Sequence, residues 1–313
     1  MLEQEMPMIV GNNPKVSKAF ETAKTLANSR VPVLVVGESG TGKKSVCHFI
    51  HQNSSRADKP FLVVDCARET SDVQNDILGY RDHEGKFHKG VLERANGGVV
   101  ILSNIDSLEE AFQKKLYTIL NELSDYEIDI RLMATTSKNL SKYVGAGRFY
   151  RGLYTFFSGS QINLPPLRER KEDIPTIASH YIDRFSNQNN MGLVQIDSVA
   201  MDKLVNNYWT HNTKELVVLL ENAVRNCQDG VLDVAALEAG ERRNDGRVID
   251  DEDEAFKLMT LRDAEKLLIK KALIHTSENR TQAARILGVS IRTLRNKINE
   301  YRTEGTSYFV NLR

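Results

Sequence analysis

The octapeptide Gly37-Glu-Ser-Gly-Thr-Gly-Lys-Lys44 decides the fold class of this chain. It follows the apolar run Val31-Pro-Val-Leu-Val-Val36, which is typical of a strand buried on both faces, and it precedes a helical pattern over residues 45–53. In a strand–loop–helix arrangement of this kind, glycines let backbone N–H groups approach phosphate oxygens, and the helix N-terminus adds a favourable dipole. The stretch therefore predicts a phosphate-binding loop.

All eight residues of this loop are candidate nucleotide-binding residues. Lys43 is expected to reach the outer phosphates, and the residue after it is normally Ser or Thr, whose hydroxyl helps to hold Mg²⁺. Here that residue is Lys44. The alternative, a glycine-rich turn that binds nothing, stays open. The candidates are Gly37, Glu38, Ser39, Gly40, Thr41, Gly42, Lys43 and Lys44.

Downstream of the loop, apolar runs alternate with a helical pattern. We predict strands over residues 61–64, 98–102 and 130–136 and a helix over residues 108–123. This alternation indicates a parallel α/β sheet. From about residue 174 to residue 226 the periodicity is helical, with no convincing strand. Residues 241–254 form a polar segment with an acidic run, which is typical of a linker.

The strand predicted over residues 98–102 ends on uncharged side chains. A strand at this distance from a phosphate loop usually supplies two carboxylates, which anchor Mg²⁺ and activate the attacking water. Ser103 and Asn104 stand there instead. Alternation along the strand puts Asp106 on the same face as Asn104, but too far along to substitute for the missing acids.

The net charge of zero hides an asymmetry. Residues 260–313 contain eleven Lys/Arg and five Asp/Glu, a balance of +6, so residues 1–259 balance at −6. A basic module on an acidic body suggests a polyanionic partner, although a solvated basic face fits the charge equally well. The sequence has neither the roughly 18 apolar residues of a membrane span nor a secretory signal. The three cysteines are scattered and odd in number, which favours a reducing cytoplasm. His48 and His51 lie near Cys47, but no second cluster completes a metal site, so none is predicted.

Several motifs together resemble the bacterial enhancer-binding proteins, the AAA+ activators of the σ54 RNA polymerase. They are GESGTGKK from residue 37, PFLVVDCA from residue 60, QKKL from residue 113, LPPLRERKEDI from residue 164 and NRTQAARILGVSIRTLRNKI from residue 279. The resemblance implies an AAA+ α/β core at residues 1–170, an all-α lid at 171–240, an acidic linker at 241–259 and an all-α helix-turn-helix domain at 260–313. Most members also carry an N-terminal regulatory domain, whereas this chain begins directly at the AAA+ part.

The same resemblance identifies departures from the family's ATPase machinery. Neutral residues replace the acidic pair and the sensor asparagine, a lysine replaces the lid arginine, and aromatic residues replace the two arginines that act in trans, with Arg151 one residue out of register. The GAFTGA loop that grips σ54 is absent from residues 77–93, so we expect a blunted hairpin. Together these changes predict that nucleotide is bound but not hydrolysed. The altered positions are Ser103, Asn104, Ser137, Tyr150, Phe156 and Lys214.

The C-terminal motif resembles the Fis-type helix-turn-helix, and its residue types agree with that fold. Thr281 is predicted to cap the first helix and Ser290 the second, while Gly288 suits a turn with positive φ. The alternative is an ordinary solvated pair of helices. The positions predicted to face the core are Ala283, Ala284, Leu287, Ile291, Leu294 and Ile298.

Polar residues of this module are predicted to contact double-stranded DNA. Arginine can fork to guanine and asparagine to adenine, while lysine suits phosphate. In the family, a helix such as the one predicted over residues 261–274 pairs two modules, which implies an inverted-repeat site; packing within one chain is the alternative. The predicted DNA-binding residues are Thr281, Gln282, Arg285, Ser290, Arg292, Thr293, Arg295, Asn296 and Lys297.

The resemblance implies a transcription regulator that has kept the fold of a σ54 activator and lost σ54 activation. Its substitutions are most similar to those of the VpsR-type regulators of biofilm and exopolysaccharide genes, which implies cyclic di-GMP as the effector. The expected partners are promoter DNA, RNA polymerase with the housekeeping σ factor, and further copies of this chain in a dimer or larger oligomer. Two alternatives stay open: a slow AAA+ ATPase that remodels RNA polymerase and uses Asp106 and Arg151 as substitutes, and a repressor or architectural DNA binder with a vestigial nucleotide pocket.

Overall fold

The computed structural model describes residue 11, residues 13–227, 230–244 and 280–303, and positions 265, 268, 269, 272, 273 and 276 between them. The chain divides into two compact units, Met1–Val248 and Ile249–Arg313, and each is described by itself. Among the described residues, no helix has both the length and the apolar character that crossing a membrane requires. Most of the helix predicted over residues 261–274 lies outside the described residues.

The first unit is built around a parallel sheet. Its described strands are β1 (Val33–Val36), β2 (Phe61–Asp65), β3 (Gly79–Arg81), β4 (Phe87–Lys89), β5 (Val99–Ser103), β6 (Arg131–Thr136), β7 (Gln161–Asn163), β8 (Gln195–Ile196) and β9 (Val231–Leu232). The main sheet has the order β2-β5-β6-β1-β7, and all its pairings are parallel. The predicted parallel α/β sheet is confirmed, with strand ends shifted by one or two residues.

Helices cover both faces of this sheet. They are α1 (Pro14–Ala27), α2 (Lys43–Gln52), α3 (Thr70–Leu78), α4 (Val91–Arg94), α5 (Glu110–Glu122), α6 (Leu140–Gly145) and α7 (Arg151–Ser158). Val33 and Val35 of β1 pack in a cluster with α1 and α2, whereas Leu34 packs in a second cluster with α3, α5 and α7. Because alternate side chains of a strand point to opposite faces, burial on both faces requires the continuous apolar runs seen in the sequence.

The remainder of the first unit is a helical region. It contains α8 (Ile174–Gln188), α9 (Ser198–Asn206), α10 (Asn212–Val224) and α11 (Val234–Asn244), with Trp209 buried in their common core. The prediction that this region has no strand is wrong, because β8 and β9 pair in parallel through Gln195–Ile196 and Val231–Leu232. Strands of two residues are too short to produce a period-2 pattern. Helix α11 also continues through residue 244, into the segment whose polar composition predicts a linker.

In the second unit, α12 (Arg280–Ile286) and α13 (Ile291–Thr303) pack on helical residues between positions 265 and 273. Ala283, Ala284, Leu294 and Ile298 are buried as predicted. Two predictions are wrong. Thr281 lies inside α12 rather than at its cap, because Arg280 is already helical, and Ile291 is 38% exposed because the first turn of α13 projects beyond the core. The Ser290 cap is confirmed, since Ser290 Oγ accepts from the Thr293 N–H at 3.0 Å.

Candidate nucleotide site and DNA-binding surface

The phosphate loop joins β1 to α2 at the carboxyl edge of the sheet. Gly40 and Gly42 have φ angles of +77° and +100°, and Gly42 is the residue that caps α2. Residues other than glycine rarely adopt such φ angles, so these two glycines allow the backbone to turn sharply before the helix begins. A glycine-rich loop followed directly by a helix N-terminus is the arrangement of an anion-binding turn.

Lys43 lies across the mouth of this loop. Its Nζ donates hydrogen bonds to the carbonyl oxygens of Gly37 and Glu38 at 2.8 and 2.9 Å. Burial lowers the pKa of Lys43 to about 8, and the negative charge of Asp106 opposes this shift. At neutral pH the ammonium group therefore stays mostly charged, and it is held where a phosphate chain can replace the carbonyl oxygens as its hydrogen-bond partner.

The helical region contacts the loop at Gly40. A Cβ atom placed on Gly40 would lie 1.9 Å from the carbonyl oxygen of His211, so only glycine fits here. Asn212 Nδ2 donates to the Ser39 carbonyl at 2.8 Å, and the Lys214 N–H donates to the Gly40 carbonyl at 3.3 Å. Lys214, predicted from the sequence as a lid residue, is thus placed directly beside the phosphate loop, with an exposed side chain.

Glu38 is held by residues that the sequence analysis did not select. Arg168 donates two hydrogen bonds to its carboxylate, at 2.7 and 2.5 Å, and Asn212 Nδ2 adds a third at 3.3 Å. The hydrogen bond from Arg168 is the largest cause holding the pKa of Glu38 below its usual value. Arg168 lies in the LPPLRERKEDI motif between the sheet and the helical region. The sequence does contain a signal for this contact. An acidic residue in a loop expected to bind anions requires a cationic partner.

Arg170 of the same motif makes a second link between the loop and the helical region. Its guanidinium Nη2 donates to the Thr41 carbonyl at 3.1 Å and to Thr213 Oγ1 at 3.3 Å. The side chain is buried, which lowers the pKa of Arg170 from its ordinary value. Two arginines therefore tie the phosphate loop to the helices that follow it.

The uncharged pair Ser103 and Asn104 lies at the end of β5, at the same carboxyl edge of the sheet as the loop, with β6 between β5 and β1. Ser103 is buried, and Asn104 adopts the left-handed conformation with φ +56°. Asn104 Nδ2 donates to Asp65 Oδ1 of β2 at 3.0 Å. The amide is therefore committed to a neighbouring strand end.

The position predicted for Asp106 is wrong. The strand ends at Ser103, and residues 105–107 form one turn of 3₁₀ helix instead of continuing the alternation. This turn folds Asp106 back onto the sheet, where its Oδ1 accepts from Thr136 Oγ1 of β6 at 2.5 Å. Asparagine tolerates the left-handed conformation better than most residues, which explains how the chain reverses at residue 104.

The positions of the sensor and the trans arginines lack a cationic side chain. Ser137 is exposed just after β6. The Tyr150 ring contacts Tyr117 at a centroid distance of 5.5 Å, and Phe156 packs against Phe157 at 5.1 Å. These two aromatic side chains thus add to the hydrophobic cluster beside the sheet. Arg151 begins α7 and is exposed.

A short hairpin spans residues 79–89, within the segment 77–93 where the resemblance predicts a blunted hairpin. Strands β3 and β4 pair over three residues each, and Tyr80 stacks on His88 with ring centroids 4.8 Å apart. His88 Nε2 lies 2.7 Å from Asp82 Oδ2, and Asp82 Oδ1 accepts from the backbone N–H groups of Glu84 and Lys86. The turn between β3 and β4 is therefore held by contacts among its own residues.

The helix-turn-helix exposes most of the residues predicted to contact DNA. Lys297 differs: it is half-buried, and its Nζ lies 2.9 Å from Glu265 Oε2 and 3.6 Å from Glu300 Oε2. The hydrogen bond to Glu265 is the main cause that raises the pKa of Lys297. Lys297 is therefore engaged within its own module rather than left on the outside as predicted. The exposed members are Thr281, Gln282, Arg285, Ser290, Arg292, Thr293, Arg295 and Asn296.

Comparison with family models covers most of the chain. Residues 9–163 match the sigma-54 interaction domain, residues 168–249 the AAA+ ATPase lid domain, and residues 260–301 the bacterial regulatory proteins of the Fis family. The AAA+ core, the helical lid and the helix-turn-helix inferred from the sequence are thereby confirmed. The helical region after residue 168 is called the lid from here on.

Curated relatives match along nearly the whole chain. The response regulator protein PilR of Pseudomonas aeruginosa is 30% identical, over 93% of this chain and 69% of its own length. The transcriptional regulatory protein FlbD of Caulobacter vibrioides is 31% identical, over 97% of this chain and 72% of its own. The regulatory protein AtoC of Escherichia coli is 32% identical, over 94% of this chain and 67% of its own length.

Among solved structures, NtrX from Brucella abortus has the same fold. It superposes with a TM-score of 0.67 at 23% identity and covers 93% of this chain and 68% of its own. That protein was also crystallised with ADP and with ATP. The sigma-54 interaction domain, the lid and the Fis-type helix-turn-helix thus occur together in this chain. The chain belongs to the family of σ54-dependent-type transcriptional regulators, which join an AAA+ domain to a DNA-binding Fis-type helix-turn-helix.

Proposed function

We propose that this chain is a DNA-binding transcription regulator, acting in the cytoplasm, that binds an adenine nucleotide at its phosphate loop without hydrolysing it. The observation that carries this proposal is the intact loop at the same edge of the sheet as the uncharged pair Ser103 and Asn104. Lys43 and the N-terminus of α2 remain suited to phosphate. The carboxylates that would anchor Mg²⁺ and activate water are replaced, and the Asn104 amide is bonded to Asp65.

The other altered positions support the same conclusion. Tyr150 and Phe156 pack in the hydrophobic cluster and cannot supply charge to a neighbouring subunit's nucleotide. An arginine acting in trans contributes ~10³-fold or more to the rate in comparable enzymes. Loss of the acidic pair and of both arginines removes the main sources of transition-state stabilisation.

Nucleotide binding would instead act as a signal to the lid. The loop contacts the lid through Gly40 and His211, and through the bonds of Ser39 and Glu38 to Asn212. A ligand that replaces the carbonyl oxygens of residues 37 and 38 around Lys43 would change the environment of these contacts. Coupling of this kind needs only different affinities for two loop arrangements, not turnover.

The short hairpin over β3 and β4 supports action without σ54. The family's σ54-gripping motif is absent, and the turn between β3 and β4 is held by contacts to Asp82. We therefore propose that the protein works with RNA polymerase carrying the housekeeping σ factor. Resemblance to the VpsR-type regulators supports control of biofilm and exopolysaccharide genes, cyclic di-GMP as an effector, and binding to an inverted repeat as a dimer or larger oligomer.

ATP turnover of the full chain tests the central claim. It would be measured at high protein concentration with Mg²⁺ and promoter DNA, next to Lys43→Ala. We expect both proteins to release phosphate at the same background rate, while nucleotide binding is lost only in Lys43→Ala. Turnover of the unsubstituted chain above this control would overturn the proposal.

A slow ATPase remains a second candidate because of one observation. Asp106 is folded back to Thr136 at the carboxyl edge of the sheet, so a carboxylate is present in this region after all. If Asp106 were the catalytic base, Asp106→Asn would abolish a measurable turnover. A third candidate, a repressor with a vestigial pocket, predicts that neither ATP nor cyclic di-GMP changes the affinity for promoter DNA.

A further inference from the structure

The positions that hold Mg²⁺ in a phosphate-loop site carry unsuitable groups in this chain. The cation is ordinarily held by the hydroxyl of the residue after the loop lysine and by a carboxylate at the end of another strand of the sheet. Here these residues are Lys44 and the buried Ser103. An ammonium group offers only donors, and Mg²⁺ prefers carboxylate oxygens to neutral ones.

Asn104 and Asp106, two further polar residues at this edge of the sheet, make hydrogen bonds within the protein. Asn104 Nδ2 donates to Asp65 Oδ1, which also accepts from the Ala67 N–H at 3.2 Å. Asp106 Oδ1 accepts from Thr136 Oγ1. The two positions that ordinarily hold Mg²⁺, occupied here by Lys44 and Ser103, therefore do not fit it.

Positive charge is nevertheless concentrated at this point. Lys43 and Lys44 are the first two residues of α2, where the helix dipole also favours an anion. Lys44 is exposed, so its flexible four-carbon side chain can turn toward a bound phosphate chain. Other phosphate loops have a serine or threonine at this position, and its hydroxyl binds the metal ion. Lys44 places a positive charge there instead.

We propose that this site binds nucleotide phosphates without a divalent cation, with the ammonium group of Lys44 neutralising the phosphate charge that Mg²⁺ would otherwise neutralise. The ligand is a nucleoside di- or triphosphate in its metal-free form. This inference rests on the proposed nucleotide-binding function and deepens it, since it names the state of the ligand and the residue that selects it.

The test is the affinity of the full chain for ATP, measured by isothermal titration calorimetry in excess EDTA and again in excess Mg²⁺. Three proteins are compared: the unsubstituted chain, Lys44→Thr, which restores the hydroxyl, and Lys24→Thr, which removes an exposed helical lysine from α1. Thermal unfolding of each verifies that the fold is retained.

We expect the unsubstituted chain and Lys24→Thr to bind ATP at least as tightly in EDTA as in Mg²⁺. Lys44→Thr should bind about tenfold more weakly in EDTA, the loss of one charge-assisted contact, and should recover part of that loss in Mg²⁺. Binding by the unsubstituted chain that is about tenfold tighter in Mg²⁺, or unchanged affinity of Lys44→Thr in EDTA, would overturn this inference alone. Absence of ATP binding in both buffers would instead overturn the nucleotide-binding function and this inference with it.

Discussion

Glu38 and Arg168 form a bidentate ion pair that joins the phosphate loop to the segment leading into the lid. The two guanidinium–carboxylate distances are 2.7 and 2.5 Å, and the Arg168 guanidinium also lies 5.2 Å from the centroid of the Tyr208 ring. A planar guanidinium matches a carboxylate in this way and an ammonium group does not. Because the residues are 130 positions apart, the pair connects two separate parts of the AAA+ module.

Arg168→Lys should loosen this connection while keeping the charge. We expect the free energy of unfolding to fall by about 1 kcal/mol, discounted because the Glu38 side chain is 41% exposed. Urea unfolding followed by the fluorescence of Trp209, the single and buried tryptophan of the lid, measures this. Arg148→Lys, at an exposed arginine, is the matched control and should be neutral. Equal stability of the two variants would mean that the bidentate pair of Arg168 and Glu38 does not stabilise the protein.

The same pair should make stability depend on pH in a definite direction. Since Arg168 holds the pKa of Glu38 below its ordinary value, the stabilisation is present above the unfolded-state pKa of about 4.5 and is lost as pH falls through the lower folded-state pKa. We therefore expect the difference in Tm between the unsubstituted chain and Glu38→Gln to be constant at neutral pH and to shrink below about pH 4.5. A difference that grows on acidification would contradict the assignment.

Asn104→Asp should destabilise the AAA+ core. It would replace the donor at 3.0 Å from Asp65 with a second carboxylate, and we expect a cost of about 1–3 kcal/mol at pH 7 that declines when acid protonates one of the two groups. Asn104→Gly is the control. It also loses the bond, but glycine accepts φ +56° without strain, so its cost should be smaller. Urea unfolding at pH 7 and pH 4 compares them, and an Asp variant as stable as the Gly variant at pH 7 would reject the like-charge argument.

Arg295 and Lys297 should behave differently in DNA binding, although both were predicted as contacts. Arg295 is exposed on α13, so Arg295→Ala should weaken binding to duplex DNA by about 1–3 kcal/mol and, if it contacts phosphate, reduce the salt slope by about 1. Lys297→Met should leave the affinity for DNA nearly unchanged. It should lower the thermal stability of the C-terminal module, because methionine cannot form the ion pairs with Glu265 and Glu300.

Fluorescence anisotropy with one labelled duplex at several salt concentrations separates the two effects, and circular dichroism reports the unfolding of each variant. A large loss of affinity in Lys297→Met with no change in stability would return Lys297 to the DNA surface.

Regular local patterns allowed much of this fold to be predicted. The loop over residues 37–44 and the strands that flank it were located because glycine placement and continuous apolar runs are encoded within a few residues. The pair β8 and β9 was missed because two residues carry no period. The error at Asp106 has a similar origin: extrapolating a strand past Ser103 ignored that Asn104 can reverse the chain.

Residue types at short spacing are enough to establish the α/β core, the phosphate loop, the helix-turn-helix and the substitutions at Ser103 and Asn104. The partners of these groups follow only from the folded chain. Arg168 reaches Glu38 across 130 positions, Asp106 reaches Thr136 across 30, and Lys297 reaches Glu265 across 32. No local pattern specifies such pairs, since they depend on how the sheet edge and the helices are brought together in space.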